Sequence, residues 1–563
     1  MKKRFFLIPI AAMLLVLGIG MIVDGDPAGA LSGQLQARGA ALAQFDGQAL
    51  TPAQRGAVYF AFGDFSALSS EALEVSASPW KLATALLALR YAGGHLDGVT
   101  PEAVTTIFRN YGFVTPQRIA NWPAGLEQPV LNGPLGQNIG FASRMVPPIA
   151  LTISNISCAG CHASVVYGAD GKPDTSTVWL GTPNGSINLQ RYVTELYAAL
   201  RDRPGDNDDF IWAAVQKLYP DTDWREWLAL KTVVLPKVAQ LVAAQEATIG
   251  QLLPFQVSTM GATNGLQALQ ARFGVIASDH LTERNAPISV PELGGRVWRS
   301  SLLASGAYGV PGEMPQRQIR AEDITDGHLR ALAGLTAFFT VPSMGTKPAT
   351  AAGHVDDADR IMQWLREDYT PQPFPGVIDR APAERGGAVY AQACASCHGT
   401  YSAGIDAPKL TEFPNWQGDV GTDRTYIDLF DQATVDVVNG LGYDGLLEGR
   451  LAPDYVAQPL TGLWSSAPYL HNGSVPTLWH LMHPEKRPTS FDAGGHKLDL
   501  AKVGIAGMEH DGMWVTPPDY TPWATPVRID TTVAGLHASG HEQPFDSMSE
   551  PDKAALLEYL KLL

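Results

Sequence analysis

Two stretches decide the reading of this chain: "SNISCAGCHAS" at 154–164 and "AQACASCHGT" at 391–400. Together they hold all four cysteines of the 563 residues, each pair spaced Cys-x-x-Cys and each followed at once by a histidine. A disulfide across so short a loop is usually redox-active, and thioredoxin-type sites want a βαβ setting that neither stretch has. A zinc site drawn from both pairs joins residues far apart in the chain and leaves the adjacent histidine unexplained twice. Covalent c-type haem explains every residue: two thiols add to the vinyl groups, and the histidine one step on becomes an axial ligand of the iron. Cys, Cys and His then lie on about one helical turn. The spacing predicts two covalently bound haem c groups, the first on Cys158, Cys161 and His162, the second on Cys394, Cys397 and His398.

Haem c is attached outside the bacterial cytoplasm, and the chain opens accordingly. Lys2, Lys3 and Arg4 precede an unbroken apolar run from Phe5 to Val23, closed by Asp24. This has the form of an export signal, with "AGA" at 28–30 as a small-residue cleavage site, and it is also long enough to anchor the chain in a membrane. Either way the basic end stays on the cytoplasmic side and the bulk of the chain is expected in a periplasmic space. The formal net charge of −16 argues against a nucleic-acid partner, which calls for a basic face.

"ERGGAVYAQACASCHGT" (384–400) reads as an amphipathic helix running into the second haem motif, with Gly387, Tyr390 and Ala391 on one side. "SEPDKAALLEYLKLL" (549–563) reads as a closing helix capped by Ser549, burying Leu556, Leu557, Tyr559 and Leu560. The proline-rich stretch 368–384 reads as a linker. The expected organisation is a signal or anchor at 1–27, an N-terminal haem c domain with an extension at 28–375, and a C-terminal cytochrome c domain at 376–563. Further helices are expected over 79–94, 187–202, 210–219 and 227–253, with strands sparse. The fold class is mainly α: two cytochrome c-like haem domains with long loops and an N-terminal extension.

"LTGLWSSAPYLHNGSVPTLWHLM" (460–482) resembles the signature of the bacterial di-haem cytochrome c peroxidase superfamily, which also holds the enzymes that mature methylamine dehydrogenase and the rubber oxygenases. The run "GLHASGHEQPFDSMSEPDKAALLEYLKLL" is closest to the rubber-oxygenase branch. The resemblance covers the second domain well and the first in patches; residues 30–150 match no family by eye. "RNAPISVPELGGRVWRSS" (284–301) is similar to the superfamily segment whose tryptophan lies between the haems, which implies that role for Trp298. "GVPGEMPQ" (309–316) is similar to the segment that carries a distal-pocket glutamate in the peroxidases, which implies Glu313; rubber oxygenases have an aromatic residue there. Cleaving a peroxide O–O bond needs a group that carries a proton from one oxygen to the other, and a partly buried carboxylate suits that task.

The resemblance further implies a reactive first haem and an electron-carrying second haem closed by a sixth ligand. His541 matches the late histidine of the rubber-oxygenase branch; His471, Met482, His483 and His510 are the other candidates. The expected protein is a periplasmic peroxidase. Hydrogen peroxide reacts at the first haem, Glu313 moves the proton, Trp298 relays electrons, and a small redox protein or quinol-linked donor supplies them. The competing readings are an oxygenase acting with O2 on an apolar or olefinic substrate, a protein-modifying di-haem oxidase, and a pure electron-transfer cytochrome.

Overall fold

The computed structural model describes residues 44–563 except 46, 64–77, 137, 147–150, 204–207, 241, 243–259, 264, 273, 276–285, 315, 345–347 and 444. The proposed signal or anchor lies outside the described residues. Among those residues no helix is long and apolar enough to cross a membrane.

Three apolar cores organise the chain. The first begins with the helix Pro52–Phe62, started by a capping box between Thr51 and Gln54 with proline at its first position. It crosses the helix Val355–Glu367 so tightly that a Cβ on Gly56 would lie 2.0 Å from the Arg360 carbonyl oxygen, and Phe60 packs on Trp364 at 4.8 Å. The long helix Asp326–Met344 completes this layer. Ser157 Oγ donates to Ala61 O at 3.0 Å, so the end of the first helix seats the residue just before Cys158.

The second core joins part of the stretch 30–150 to helices that follow the first motif. Helices Trp80–Tyr91, Pro101–Asn110, Leu189–Asp202 and Asp208–Leu218 enclose an aromatic cluster of Trp80, Phe108, Phe113, Phe141 and Tyr192. The helix Trp224–Ala229 passes into a π-turn at Leu230–Val234, and the far end of the helix expected over 227–253 lies outside the described residues. Buried Glu226 ties this unit together. It pairs with Lys81 at 2.5 Å and accepts from Thr152 N at 2.6 Å. Thr152 belongs to the strand Leu151–Ile156, which pairs antiparallel with Phe141–Val146 and leads straight into the first haem motif. The extension thus holds the strand that delivers Cys158.

The third core joins the helices Arg380–Ala393 and Glu550–Leu560. Gly386 allows the approach, since a Cβ there would meet Ala555 O at 2.0 Å. Tyr390 packs between Tyr401, edge-on at 5.7 Å, and Tyr559, tilted at 5.4 Å. The Ser549 side chain accepts from Asp552 N, and the four expected residues of the closing helix are buried. On the opening helix the buried side is Ala383, Gly386 and Tyr390, which follow the 3–4-residue helical spacing, and Ala391, one step beyond Tyr390, is exposed.

Two features differ from a mainly helical pair of domains. The described chain is about 40% helix and 15% strand. Most of these strands are two residues long, such as Tyr308–Gly309 and Tyr455–Val456, too short to show a period-2 pattern. They also stitch the halves together: Tyr308 pairs with Gly449 and Ile319 with Phe413, while Tyr426, Phe430, Val438 and Tyr443 pack into the first core. The stretch after 368 is likewise anchored, with Trp179 donating to Thr370 O at 2.9 Å and Trp464 to Gln372 O at 2.8 Å.

Candidate haem sites

At the first motif Cys158–Cys161 forms one helical turn and His162 ends it. At the second, the turn is Ala395–His398. None of the four cysteines is in a disulfide, and among the described residues no group of three or more metal-ligating side chains gathers. Burial raises the Cys161 thiol to about 11 and the Cys394 thiol to about 12, so both are neutral thiols near pH 7.

The two histidines are set alike. His162 Nδ1 lies 3.0 Å from Pro291 O, and His398 Nδ1 lies 2.7 Å from Gln458 O. A carbonyl only accepts, so each Nδ1 carries the hydrogen and each Nε2 keeps a free lone pair. This is the second contact that orients a metal-bound imidazole. Desolvation pulls His162 down to about 4 and lowers His398 as well, so both rings are neutral.

Beyond that the sites diverge. The His541 ring faces His398 with centroids 6.0 Å apart and stacks on Phe545 at 5.7 Å. Two imidazoles bonded to one iron at about 2 Å per bond have ring centres about 6 Å apart, so the spacing of these rings, tilted by 40° to each other, is of the length that one shared iron would need. His541 sits at φ 51°, its N–H donates to Val420 O at 2.6 Å, and its Nδ1 is buried without a partner. Desolvation, then the neighbouring His398, lowers it to about 4. Among the described residues no second imidazole faces His162. The other candidates lie elsewhere: His471 stacks on Tyr455 at 4.0 Å, His483 bonds Glu550 at 2.9 Å, Met482 is buried in its own short helix, and His510 is exposed beside Asp511.

Trp298 closes a short 3₁₀ turn, Arg296–Trp298. The segment around it runs between the supports of the two histidines. It starts at Pro291, the acceptor of His162, and ends at Arg299, whose Nη1 donates to Gln458 Oε1 at 2.6 Å. Gln458 is in turn the acceptor of His398. Glu313 lies on the turn after Val310 and pairs with Arg317 at 2.9 Å through one oxygen; its other oxygen is buried and unpartnered.

Sequence reasoning missed several residues here. Glu292 follows Pro291, is bonded by the Tyr369 hydroxyl, and accepts from Gly294 N at 2.7 Å; burial raises its carboxyl to about 8. His328 is buried against Val297 O at 2.9 Å. Arg296, Arg299 and Gln458 carry no spacing signature.

Comparison with known proteins agrees with this geometry at the level of class. A family model described as cytochrome C oxidase, cbb3-type, subunit III matches residues 381–437, and one described as RoxA-like, cytochrome c-like matches residues 454–492. The protein is therefore a haem c redox protein with cytochrome c-like domains in its C-terminal part. The chain is also similar to two uncharacterized proteins of Sinorhizobium fredii. It is 30% identical to y4iM over 162 residues, 24% of this chain and 35% of that protein. It is 28% identical to y4iJ over 273 residues, 38% of this chain and 44% of that protein. The chain thus spans less than half the length of these curated relatives.

Proposed function

We propose that the protein is an exported di-haem c oxidoreductase that reduces hydrogen peroxide at the first site and is supplied with electrons through the second. The observation that supports this is the asymmetry of the sites: His398 has the His541 ring 6.0 Å away, and His162 has no such partner among the described residues. A filled coordination sphere makes an electron carrier, and an open one allows reaction. When bound, haem supplies the redox chemistry; the chain's residues prepare the site for it. Pro291 O holds His162 in the tautomer that offers Nε2. Glu313, oriented by Arg317, keeps one buried oxygen free to take a proton from peroxide and return it to the departing oxygen. Trp298 stands on the segment that ties both histidine supports, a short route for electrons. A small redox protein or quinol-linked donor delivers them.

The RoxA-like match favours a second reading, an oxygenase that uses O2 on an apolar or olefinic substrate. One experiment separates the two. Stoichiometric hydrogen peroxide is added to the purified protein and the haem spectra are followed, then repeated with Glu313→Gln. The peroxidase reading expects rapid oxidation, slowed about 10²- to 10⁴-fold in the variant. A wild type inert to peroxide but consuming O2 with an olefin would establish the oxygenase, and an equally fast variant would remove Glu313 from the mechanism.

A further inference from the structure

Arg296 and Arg299 stand out because no carboxylate among the described residues pairs with either of them. Arg299 is 5% exposed. Its Nη1 donates to the neutral amide oxygen of Gln458 at 2.6 Å and its Nη2 to Leu303 O at 3.1 Å, while its Nε is buried with no partner. Arg296 donates through Nη1 to Ser301 O at 3.2 Å, and its Nη2 is buried with no partner. Among the described residues neither makes an ion pair, although the chain carries 56 acidic residues against 40 basic ones. Desolvation lowers Arg296 to about 9 and Arg299 to about 10, and Arg299 adds to the lowering of Arg296 by repulsion. Arg299 is buried and Arg296 is half-buried with its Nη2 out of water, and two like charges held together this way are unfavourable unless an anion reaches them. A guanidinium fork with an open N–H is built for a planar carboxylate.

The position says where such carboxylates come from. Both arginines lie on the segment that begins at the acceptor of His162 and ends on the acceptor of His398. We propose that Arg296 and Arg299 form a carboxylate clamp that would hold haem propionates at the seam between the two sites. The clamp rests on the di-haem reading above. It makes both arginines positioning residues that hold the haems in register for electron exchange and, as fixed positive charges, favour the reduced state.

The test uses the full-length holoprotein and the variants Arg296→Gln, Arg299→Gln and the corresponding Lys changes. Haem content is counted first by pyridine haemochrome and intact mass; fewer than two haems per wild-type chain would sink the di-haem reading itself. With two haems present, spectroelectrochemistry follows the high-spin and low-spin haems separately. Each Gln variant is expected to lower one haem's reduced-to-oxidised ratio at fixed potential about tenfold, a 59 mV shift for a one-electron couple. The haem that moves with each variant identifies the source of that carboxylate, and the Lys variants recover most of the shift. If a Gln variant fails to retain haem, the Lys variant decides through the resonance Raman propionate-bending bands, which are expected to shift because an ammonium cannot reproduce the fork. Unchanged potentials in the Gln variants, native propionate bands in the Lys variants, or potentials that respond to added chloride or phosphate in the wild type would overturn the clamp.

Discussion

His541 offers the sharpest perturbation, because its backbone and its ring can be separated energetically. The residue sits at φ 51°, in a left-handed conformation that costs a non-glycine residue roughly 1–2 kcal/mol. The loop cannot relax easily. Its N–H is held by Val420 O at 2.6 Å, and the preceding Gly540 already lies so close that a Cβ there would meet Gly421 C at 2.2 Å. Replacing His541 by glycine removes that strain but adds up to about 1 kcal/mol of unfolded-chain entropy, so the backbone terms nearly cancel. The alanine variant keeps the strain and loses the ring. Both remove the imidazole that stands 6.0 Å from His398. The expected result is that both variants convert one of the two haems from low to high spin in ferric absorption and resonance Raman spectra, with little loss of folding stability in His541→Gly. Added imidazole, entering the vacated space, restores the low-spin signal. A His541→Gly protein whose low-spin fraction equals that of the wild type would refute the reasoning, and so would spectra that change without rescue by imidazole.

Further predictions follow from burial and close packing. Glu292 holds its proton to about pH 8 when folded and releases it near pH 4.5 when unfolded, so its burial favours the folded state least at high pH. Stability should fall by about 1.4 kcal/mol per pH unit across that window, and urea unfolding of Glu292→Gln should show this slope removed; an equal slope in both proteins would contradict the assignment. Gly386→Ala should cost about 1–3 kcal/mol, because its Cβ would lie 2.0 Å from Ala555 O, whereas Gly387→Ala, 3.2 Å from the Tyr559 ring, should cost less; thermal unfolding that ranks them the other way would count against the helix crossing. Tyr390→Phe removes the bond to Gly399 O at 2.9 Å beside the second motif and should cost about 1 kcal/mol in the same assay.

The Cys-x-x-Cys-His turns and the flanking helices were legible in the sequence because each has a local signature, whereas His541 was singled out by resemblance alone and the structure sets its ring 6.0 Å from that of His398. Cys-x-x-Cys-His is fixed by the geometry of one turn, and the closing helix announces itself through Ser549 and its apolar face. The interlocking of the two halves was not legible, because it runs through two-residue strands such as Tyr308–Gly309 and through residues 426–447 packing back across the linker. The acceptors of His162 and His398 were invisible for a different reason: Pro291 and Gln458 act through backbone carbonyls, which every residue has. Arg296, Arg299 and Glu292 are recognisable only once burial is known, since a charge in a sequence carries no sign of whether water reaches it.

The central claim is that one chain holds two haems of different coordination, one open and one closed by His541. Low-temperature electron paramagnetic resonance of the ferric holoprotein, quantified against two haems per chain, tests it most directly. The account predicts equal amounts of one high-spin and one low-spin bis-histidine signal. Two low-spin signals, or a single haem per chain, would contradict it.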